Sequence, residues 1–278
     1  MNNRDQIDYW NGQAGEKWVV NSDLLDAMLD VFADKVLSVG QAQPGETVLD
    51  IGCGAGALSL KAAAQVGKDG QVIGVDVSEP MVALARQRAD HAGLPARFTV
   101  EDASTFKSDT PANLLVSRFG VMFFADPAEA FSALRKNMAP GGRLSFACWR
   151  AMPENDWVRI PLELTLPFLK APPEMPPANA PGPFAFSDKA HVSDLLTRAG
   201  WQNVSIEPWD CQMQIPGADI AQNTRFMMEL GPASRLIAAQ ELDPAPIADA
   251  LKQKLASLAD PEGQVRMKAA VWIVTARA

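Results

Sequence analysis

Hydrophobic residues along the first 40 positions recur at the three- and four-residue spacing of an amphipathic helix. The pattern ends just before Gly40, a position where a glycine is expected to close a helix. We therefore predict a helical segment over residues 1–40. The residues that carry the pattern are Leu24, Leu25, Met28, Leu29, Phe32, Val36 and Leu37.

Beyond residue 40, short apolar runs alternate with helical stretches. Each run is apolar on both faces, as strands of a sheet covered by helices on each side must be. This alternation predicts βαβ units and a mainly parallel, doubly wound α/β sheet. The predicted strands cover 47–51, 71–77, 97–100, 114–117 and 143–149, and the predicted helices cover 57–66, 78–92 and 126 to about 138.

The regular alternation stops after Trp149. Nine of the 21 prolines lie between Pro153 and Pro183, which predicts an irregular and partly stiff lid loop. A capped helix over 187–198, an alternating strand over 204–215 and a last strand over 265–275 follow. We therefore divide the chain into an N-terminal helical cap (1–40), a core (41–150), the lid loop (151–186) and a C-terminal part of the core (187–278) with inserted helices at about 218–260.

The composition narrows the function. The chain has a formal net charge of −8 and no Lys/Arg cluster, which disfavours nucleic acid as a partner. Its three cysteines form no C-x-x-C pair, so neither a disulfide framework nor a zinc site is expected. A polar start and the lack of a long apolar run predict a cytoplasmic protein without a membrane span. The sequence leaves open whether the chain forms a homodimer.

Residues 48–56 read Val-Leu-Asp-Ile-Gly-Cys-Gly-Ala-Gly. Glycines allow a ligand to approach the backbone closely, and a strand–helix turn of this kind lies where open α/β sheets bind ligands. A dinucleotide-binding fold is the alternative, but its fingerprint is G-x-G-x-x-G, whereas the spacing here is G-x-G-x-G. An anionic pyrophosphate would also gain nothing from the negatively charged Asp50 side chain. S-adenosylmethionine (SAM) carries a sulfonium and an ammonium and no phosphate, so the charge of Asp50 favours SAM over NAD.

Two further acids end consecutive predicted strands. Asp76 ends the second strand, about where a ribose-binding carboxylate belongs. Asp102 ends the third strand and precedes Ala103, an arrangement that suits an adenine amino group and a ring nitrogen. Each acid alone also fits a turn or a helix entry, but the three acids with the glycine turn form a much stronger signal.

These segments, together with Met-Ala-Pro-Gly-Gly at 138–142, resemble the class I SAM-dependent methyltransferases, most of all the ubiquinone/menaquinone-biosynthesis branch. The resemblance covers residues 40–150. It implies a Rossmann-like, seven-stranded and mostly parallel sheet with an antiparallel last strand. It also implies that Asp76 holds the ribose hydroxyls and that Asp102 and Ala103 contact adenine. It further implies that Gly52, Gly54 and Ser117 lie at SAM. The other residues predicted to contact SAM are Asp50, Val77 and Met81.

The acceptor is expected to be a small, apolar or aromatic molecule. After the fourth strand the chain reads Ser-Arg-Phe-Gly, not the Asn/Asp-Pro-Pro-aromatic motif of the family's DNA amino-methylating enzymes. The acidic cluster of its metal-dependent branch is also missing, so no metal is predicted. Neither histidine is assigned as a catalytic base, and the acceptor atom is left open. The residues predicted to contact the acceptor are Trp10, Trp18, Arg118, Trp149, Asn155 and Trp157.

Several of these assignments have simpler alternatives. Trp10 and Trp18 suit a sulfonium through cation–π attraction, but they equally suit an amphipathic helix anchored to the core. Trp157 could pack a lid helix, and Arg118 could pair with Glu101 or Asp126. For the whole chain, the alternatives to a methyltransferase are an NAD(P)-dependent oxidoreductase and a non-catalytic SAM-binding partner subunit.

Overall fold

The structure is a computed structural model that describes residues 3–173, 177 and 179–278. Residues 1–2 of the predicted cap and residues 174–176 and 178 of the predicted lid loop lie outside the described residues. The strands of the described part are β1 (Thr47–Ile51), β2 (Gln71–Asp76), β3 (Ala96–Val100), β4 (Ala112–Arg118), β5 (Met138–Trp149), β6 (Gln202–Ile215) and β7 (Val265–Arg277).

Helices make up most of the rest of the described chain. They are α1 (Arg4–Asn11), α2 (Gln13–Val20), α3 (Ser22–Gly40), α4 (Ala57–Val66), α5 (Glu79–Ala92), α6 (Pro127–Arg135), α7 (Asp156–Thr165), α8 (Lys189–Arg198), α9 (Ile220–Met228), α10 (Gly231–Ala239) and α11 (Pro244–Leu258). None of these described helices combines the length and the apolar composition needed to cross a bilayer.

The seven strands form one sheet in the order β3-β2-β1-β4-β5-β7-β6. Strands β1 to β5 pair in parallel, and β7 runs antiparallel to both of its neighbours. The predicted doubly wound α/β architecture with an antiparallel last strand is therefore confirmed. The chain changes direction across the sheet between β1 and β4, and such switch points are where open α/β sheets bind ligands.

Two helix ends differ from the sequence prediction. Gly40 is the last residue of α3 and not the residue that closes it, because Gln41 adopts the left-handed conformation with a φ of 54°. Helix α6 stops at Arg135, before the predicted end near Met138. The Asn137 carbonyl accepts a hydrogen bond from Ala112 N at 2.8 Å, which draws the chain into the sheet and starts β5 at Met138.

The predicted lid loop and the helix after it also need correction. Residues 156–165 form α7 and not a loop, although Pro161 lies inside this helix. Helix α8 begins at Lys189, two residues after the predicted start, and the Asp188 side chain caps it by accepting a hydrogen bond from Ala190 N. The alternating pattern of β6 is confirmed at Met213 and Ile215, which are buried.

Candidate functional site

The carboxyl ends of β1, β2 and β4 open into a cavity of about 710 Å³. This volume is in the range of small-molecule sites. Helices α1, α2 and α3 cover one side of the cavity, and residues of α10 and the start of α7 line the other. The site therefore lies at the switch point, beneath the N-terminal cap and the inserted helices.

Two glycines of the turn after β1, Gly52 and Gly54, serve different purposes. Gly52 has a φ of +66°, and a Cβ built on it would lie 2.6 Å from Gly120 Cα. Gly54 has a φ of +53°, and a Cβ there would meet only Met81 Sδ, at 3.7 Å. Gly52 thus allows two backbone turns to touch, whereas Gly54 leaves space on the cavity wall.

Asp50 lines the cavity from β1 and is almost completely buried. Its Oδ2 accepts a hydrogen bond from Ser59 Oγ at 2.5 Å, but Oδ1 has no partner among the described residues. Burial raises the pKa of Asp50 to about 7, against the opposing effects of the Ser59 hydrogen bond and the nearby Arg118 charge. The carboxylate therefore has an unused acceptor beside the glycine turn.

Asp76 joins the end of β2 to the glycine turn. Its Oδ2 accepts a hydrogen bond from Gly54 N at 2.8 Å, and its Oδ1 accepts one from Ser78 N at 2.9 Å. Burial raises the pKa of Asp76 against these hydrogen bonds. Each carboxylate oxygen can accept a second hydrogen bond, and Val77 and Met81 line the cavity beside it.

Asp102 and Ala103 line the cavity beyond the end of β3. The Asp102 Oδ1 accepts hydrogen bonds from Ser104 N at 2.9 Å and Ser104 Oγ at 2.7 Å. Both bonds go to one oxygen, so Oδ2 is available to a ligand. The three acids expected from the sequence at successive strand ends thus lie on one cavity.

Arg118 lines the cavity and pairs with neither Glu101 nor Asp126. Its Nη2 lies 3.0 Å from Asp26 Oδ1 on α3, and Asp26 also pairs with Arg88 at 2.8 Å. The predicted partners are wrong because the side chain turns toward the start of α3. The second nitrogen, Nη1, is buried without a partner among the described residues.

Two predicted site residues do not line the cavity. Ser117 is fully buried, and its Oγ donates to the Ile51 carbonyl at 2.7 Å, which ties β4 to β1. Asn155 is also fully buried, and its Oδ1 accepts a hydrogen bond from Ala270 N at 2.8 Å. Both side chains are used within the sheet and its connections, so the prediction that they contact ligands is corrected.

The N-terminal cap lies over the turn between β2 and α5. Asn11 Nδ2 donates to the Val77 carbonyl at 2.8 Å, and Asn11 Oδ1 accepts from Glu79 N at 3.0 Å. The Trp10 and Trp18 rings meet edge to face at 5.6 Å, and both line the cavity. Anchoring of the cap and contact with a ligand are thus compatible roles, because the two tryptophans pack within the cap and also line the cavity.

The opposite side of the cavity is aromatic as well. The Phe119 and Trp149 rings stack with centroids 4.1 Å apart, and Trp149 contacts Trp157 at 5.1 Å. Phe119 has a φ of 67°, a conformation that is uncommon for a bulky residue. Sequence reasoning did not single out Phe119, although its place directly after Arg118 was a signal.

No residue of α10 was predicted for the site, although the inserted helices after Ile215 were one of three regions that could cover it. No sequence motif marks this helix, which reaches the cavity only because the segment between β6 and β7 folds back over the strand ends. Neither His91 nor His191 lines the cavity. In the part of the chain that the structure describes, no three His, Cys, Asp or Glu side chains cluster as a metal site would require. The missed residues of this segment are Glu229, Leu230, Gly231, Ser234, Arg235, Ala238 and Ala239.

Comparison with known proteins agrees with this arrangement. A family of methyltransferase domains matches residues 42–164. The demethylmenaquinone methyltransferase of Thermus thermophilus is 30% identical over 156 residues, which cover 53% of this chain and 70% of that protein. The nocamycin O-methyltransferase of Saccharothrix syringae is 27% identical over 197 residues, which cover 67% of this chain and 70% of that protein.

Solved structures share the fold. The YcgJ protein from Bacillus subtilis superposes with a TM-score of 0.54 and covers 89% of this chain and 98% of its own. The two sequences are 15% identical, so this likeness concerns the architecture alone.

Proposed function

The chain belongs to the class I SAM-dependent methyltransferases, and from this premise we propose that it methylates a small apolar or aromatic molecule in the cavity at the strand ends. One observation carries the proposal. A single cavity has a charged half, at the glycine turn and its acids, and an aromatic half, between the tryptophans of the cap and those near α7. The first half suits SAM and the second suits an apolar acceptor.

The charged half fits the methionine end of SAM, which carries an ammonium and a carboxylate. Asp50 Oδ1 is an unpartnered acceptor and Arg118 Nη1 an unpartnered donor among the described residues. Both residues line the same cavity, and the Arg118 charge opposes the rise in the pKa of Asp50 that burial causes. We assign Asp50 to the ammonium and Arg118 to the carboxylate, which moves Arg118 from the acceptor to SAM.

The remaining acids suit the nucleoside. Asp76 has acceptor capacity left for the ribose hydroxyls, and Gly54 leaves the space that the ligand would fill beside it. Asp102 and Ala103 suit adenine at the end of β3. The acid at each position favours hydroxyls, amino groups and cationic groups over the pyrophosphate of NAD(P), so an oxidoreductase is not favoured.

The acceleration of methyl transfer would come mainly from the alignment of SAM with the acceptor. Bound SAM supplies a methyl group on a positively charged sulfur and needs no further activation. The cap tryptophans and the stacked Phe119–Trp149 pair would orient the acceptor and exclude water. Aromatic faces around the cavity also suit a cation. A SAM-binding subunit without catalytic activity would not require this second, aromatic half.

The name of one relative supports this acceptor class. The nocamycin enzyme is an O-methyltransferase, and its resemblance covers 70% of its own length. For this chain we propose a small-molecule acceptor and leave the methylated atom unassigned.

Methyl-labelled SAM tests the proposal. The enzyme is incubated with labelled SAM and, separately, with an apolar metabolite extract, a polar metabolite extract, RNA and unfolded protein. We expect label to enter apolar, ring-containing products with wild-type enzyme and not with the Asp76→Ala variant. Label that accumulates in RNA, protein or polar metabolites instead would contradict the proposed acceptor.

A further inference from the structure

Arg118 is held in place by a side chain that does not itself reach the cavity. Asp26 on α3 is not among the residues that line the cavity, but its Oδ1 lies 3.0 Å from Arg118 Nη2. The donors of a guanidinium form a planar, rigid fork, so a partner on Nη2 restricts the direction of Nη1. Nη1 is the buried nitrogen without a partner among the described residues, and it is the one available to the SAM carboxylate.

Asp26 is held at its other oxygen as well. Its Oδ2 accepts a hydrogen bond from Arg88 Nη1 at 2.8 Å. The same Arg88 nitrogen donates to the Ala55 carbonyl, 3.1 Å away in the turn after β1, and Arg88 Nη2 donates to Ser22 Oγ at the start of α3. Asp26 therefore joins the end of β4, which carries Arg118, to the glycine turn and to its own helix.

The backbone that carries Asp26 is anchored in the core. Leu25 precedes Asp26 and Leu29 follows it by three residues, and both leucines are buried. Both also line the cavity, so α3 packs its apolar side against the site and places Asp26 just behind it. Side chains on a packed helix or strand hold a site more precisely than side chains on a loop. This is the geometry of a support for Arg118.

The charges of this cluster are not balanced. One carboxylate, Asp26, serves the two guanidinium groups of Arg118 and Arg88, so the three side chains carry one net positive charge. Asp23, the other acid at Arg88, is 95% exposed, and its charge is screened by water. Asp50 is assigned to the SAM ammonium. An anion in the cavity would complete the balance, as the SAM carboxylate does in this assignment.

We propose that Asp26 is a positioning residue for SAM. It touches neither cofactor nor acceptor, but it holds the Arg118 guanidinium where Nη1 can bind the carboxylate of the amino-acid end. Asp26 belongs to the N-terminal cap, so the cap supports the cofactor from behind Arg118 in addition to covering the cavity. This inference rests on the proposed function, because it concerns the charged half of the same cavity.

Calorimetric titration of the full-length protein with two ligands tests the inference. S-Adenosylhomocysteine (SAH) carries both the ammonium and the carboxylate, whereas decarboxylated SAH keeps the ammonium and the nucleoside and lacks only the carboxylate. Asp26→Asn should weaken SAH binding by about threefold to tenfold and leave the affinity for decarboxylated SAH unchanged. Charge alone predicts the opposite, because loss of an acid beside Arg118 would strengthen its attraction for a carboxylate.

Three further variants show whether the effect passes through Arg118. Asp26→Ser removes the carboxylate in a different way and should give the same SAH-selective loss. In an Arg118→Gln background, Asp26→Asn should cause no further loss of SAH affinity, since a double-mutant cycle isolates a pairwise effect. The matched control is Asp23→Asn, which removes the exposed acid from Arg88 and should retain SAH affinity. Denaturant unfolding checks that each variant is folded.

The outcomes separate this inference from the proposed function. Failure of the wild type to bind SAH would refute the proposed function. Normal SAH binding by the wild type, with an equal loss for both ligands, no loss, or tighter SAH binding in the Asp26 variants, overturns the positioning role alone. A loss that adds fully to that of Arg118→Gln overturns it as well.

Discussion

Asp50 and Arg118 line the same cavity, the Arg118 charge opposes the rise in the pKa of Asp50, and each side chain keeps one buried polar atom without a partner among the described residues. Asp50 is otherwise held by Ser59, and Arg118 by Asp26. If these two side chains served only to stabilise the fold, their buried polar atoms would be expected to have hydrogen-bond partners within the protein. The arrangement instead suits a ligand that carries both charges, such as the amino-acid end of SAM.

Arg118→Gln should therefore weaken SAH binding by about tenfold or more, the worth of one charge-assisted hydrogen bond. Binding of 5′-methylthioadenosine, which lacks the amino-acid end, should not change. Calorimetric titration of both ligands measures this difference. Asp26 keeps its pair with Arg88 in the variant, and an equal loss for both ligands would contradict the assignment.

Asp50 predicts a pH dependence of stability in the protein without ligand. Burial raises its pKa from 3.8 to about 7, so its contribution is complete below pH 4 and is lost as the pH rises through 7. Asp50→Asn is neutral throughout and keeps an acceptor for Ser59. Between these pH values the free energy of unfolding should fall by up to about 4 kcal/mol more in wild type than in the variant. Denaturant titrations at several pH values measure it, and parallel profiles would show that Asp50 titrates normally.

Asp76→Ala should abolish most SAH binding. Two hydrogen bonds from ribose hydroxyls to a carboxylate are worth roughly 3 kcal/mol, or about a hundredfold in affinity. The variant also leaves Gly54 N and Ser78 N without their acceptor, so its stability should fall by about 1–3 kcal/mol.

Asp188→Ala is the matched control, since Asp188 accepts a backbone hydrogen bond at the start of α8, away from the cavity. It should lose about 1 kcal/mol of stability and retain SAH affinity. Calorimetry and denaturant unfolding on both variants separate the two effects. SAH affinity near the wild-type value in Asp76→Ala would rule out the ribose assignment.

The close contact between Gly52 and Gly120 predicts that a side chain added at Gly52 lowers the stability of the protein. Gly52 and Gly67 have φ values of 66° and 67°, but an added Cβ has no atom within 4 Å at Gly67 and meets Gly120 Cα at 2.6 Å at Gly52. Gly67→Ala should cost about 1–2 kcal/mol from the left-handed backbone alone. Gly52→Ala should cost about 2 kcal/mol more. Equal losses in denaturant unfolding would mean that the close approach is unimportant.

The sequence was sufficient for the sheet and for the residues that line the charged half of the cavity. These features depend on local patterns, namely apolar runs, a glycine turn and acids at the ends of parallel strands, which one sheet edge brings together. Asp50, Asp76 and Asp102 could therefore be placed without knowledge of distant contacts.

The aromatic half could not be predicted in the same way. Asn155 looked available because it lies between Trp149 and Trp157 in sequence, yet the distant Ala270 N bonds to its side chain. The partner of Arg118 was misplaced because Asp26 lies 92 residues away along the chain. Gly231 and Arg235 had no motif, because only the fold of the inserted helices brings them to the cavity.

Thermal unfolding with SAH and with NAD tests SAM binding most directly. At roughly 100 times its Kd, a ligand adds about 2.7 kcal/mol of stability, which corresponds to a rise in Tm of about 5–10 °C for a chain of this size. SAM binding in this cavity predicts that rise with SAH and no change with NAD at the same concentration. A rise with NAD and an unchanged Tm with SAH would contradict it.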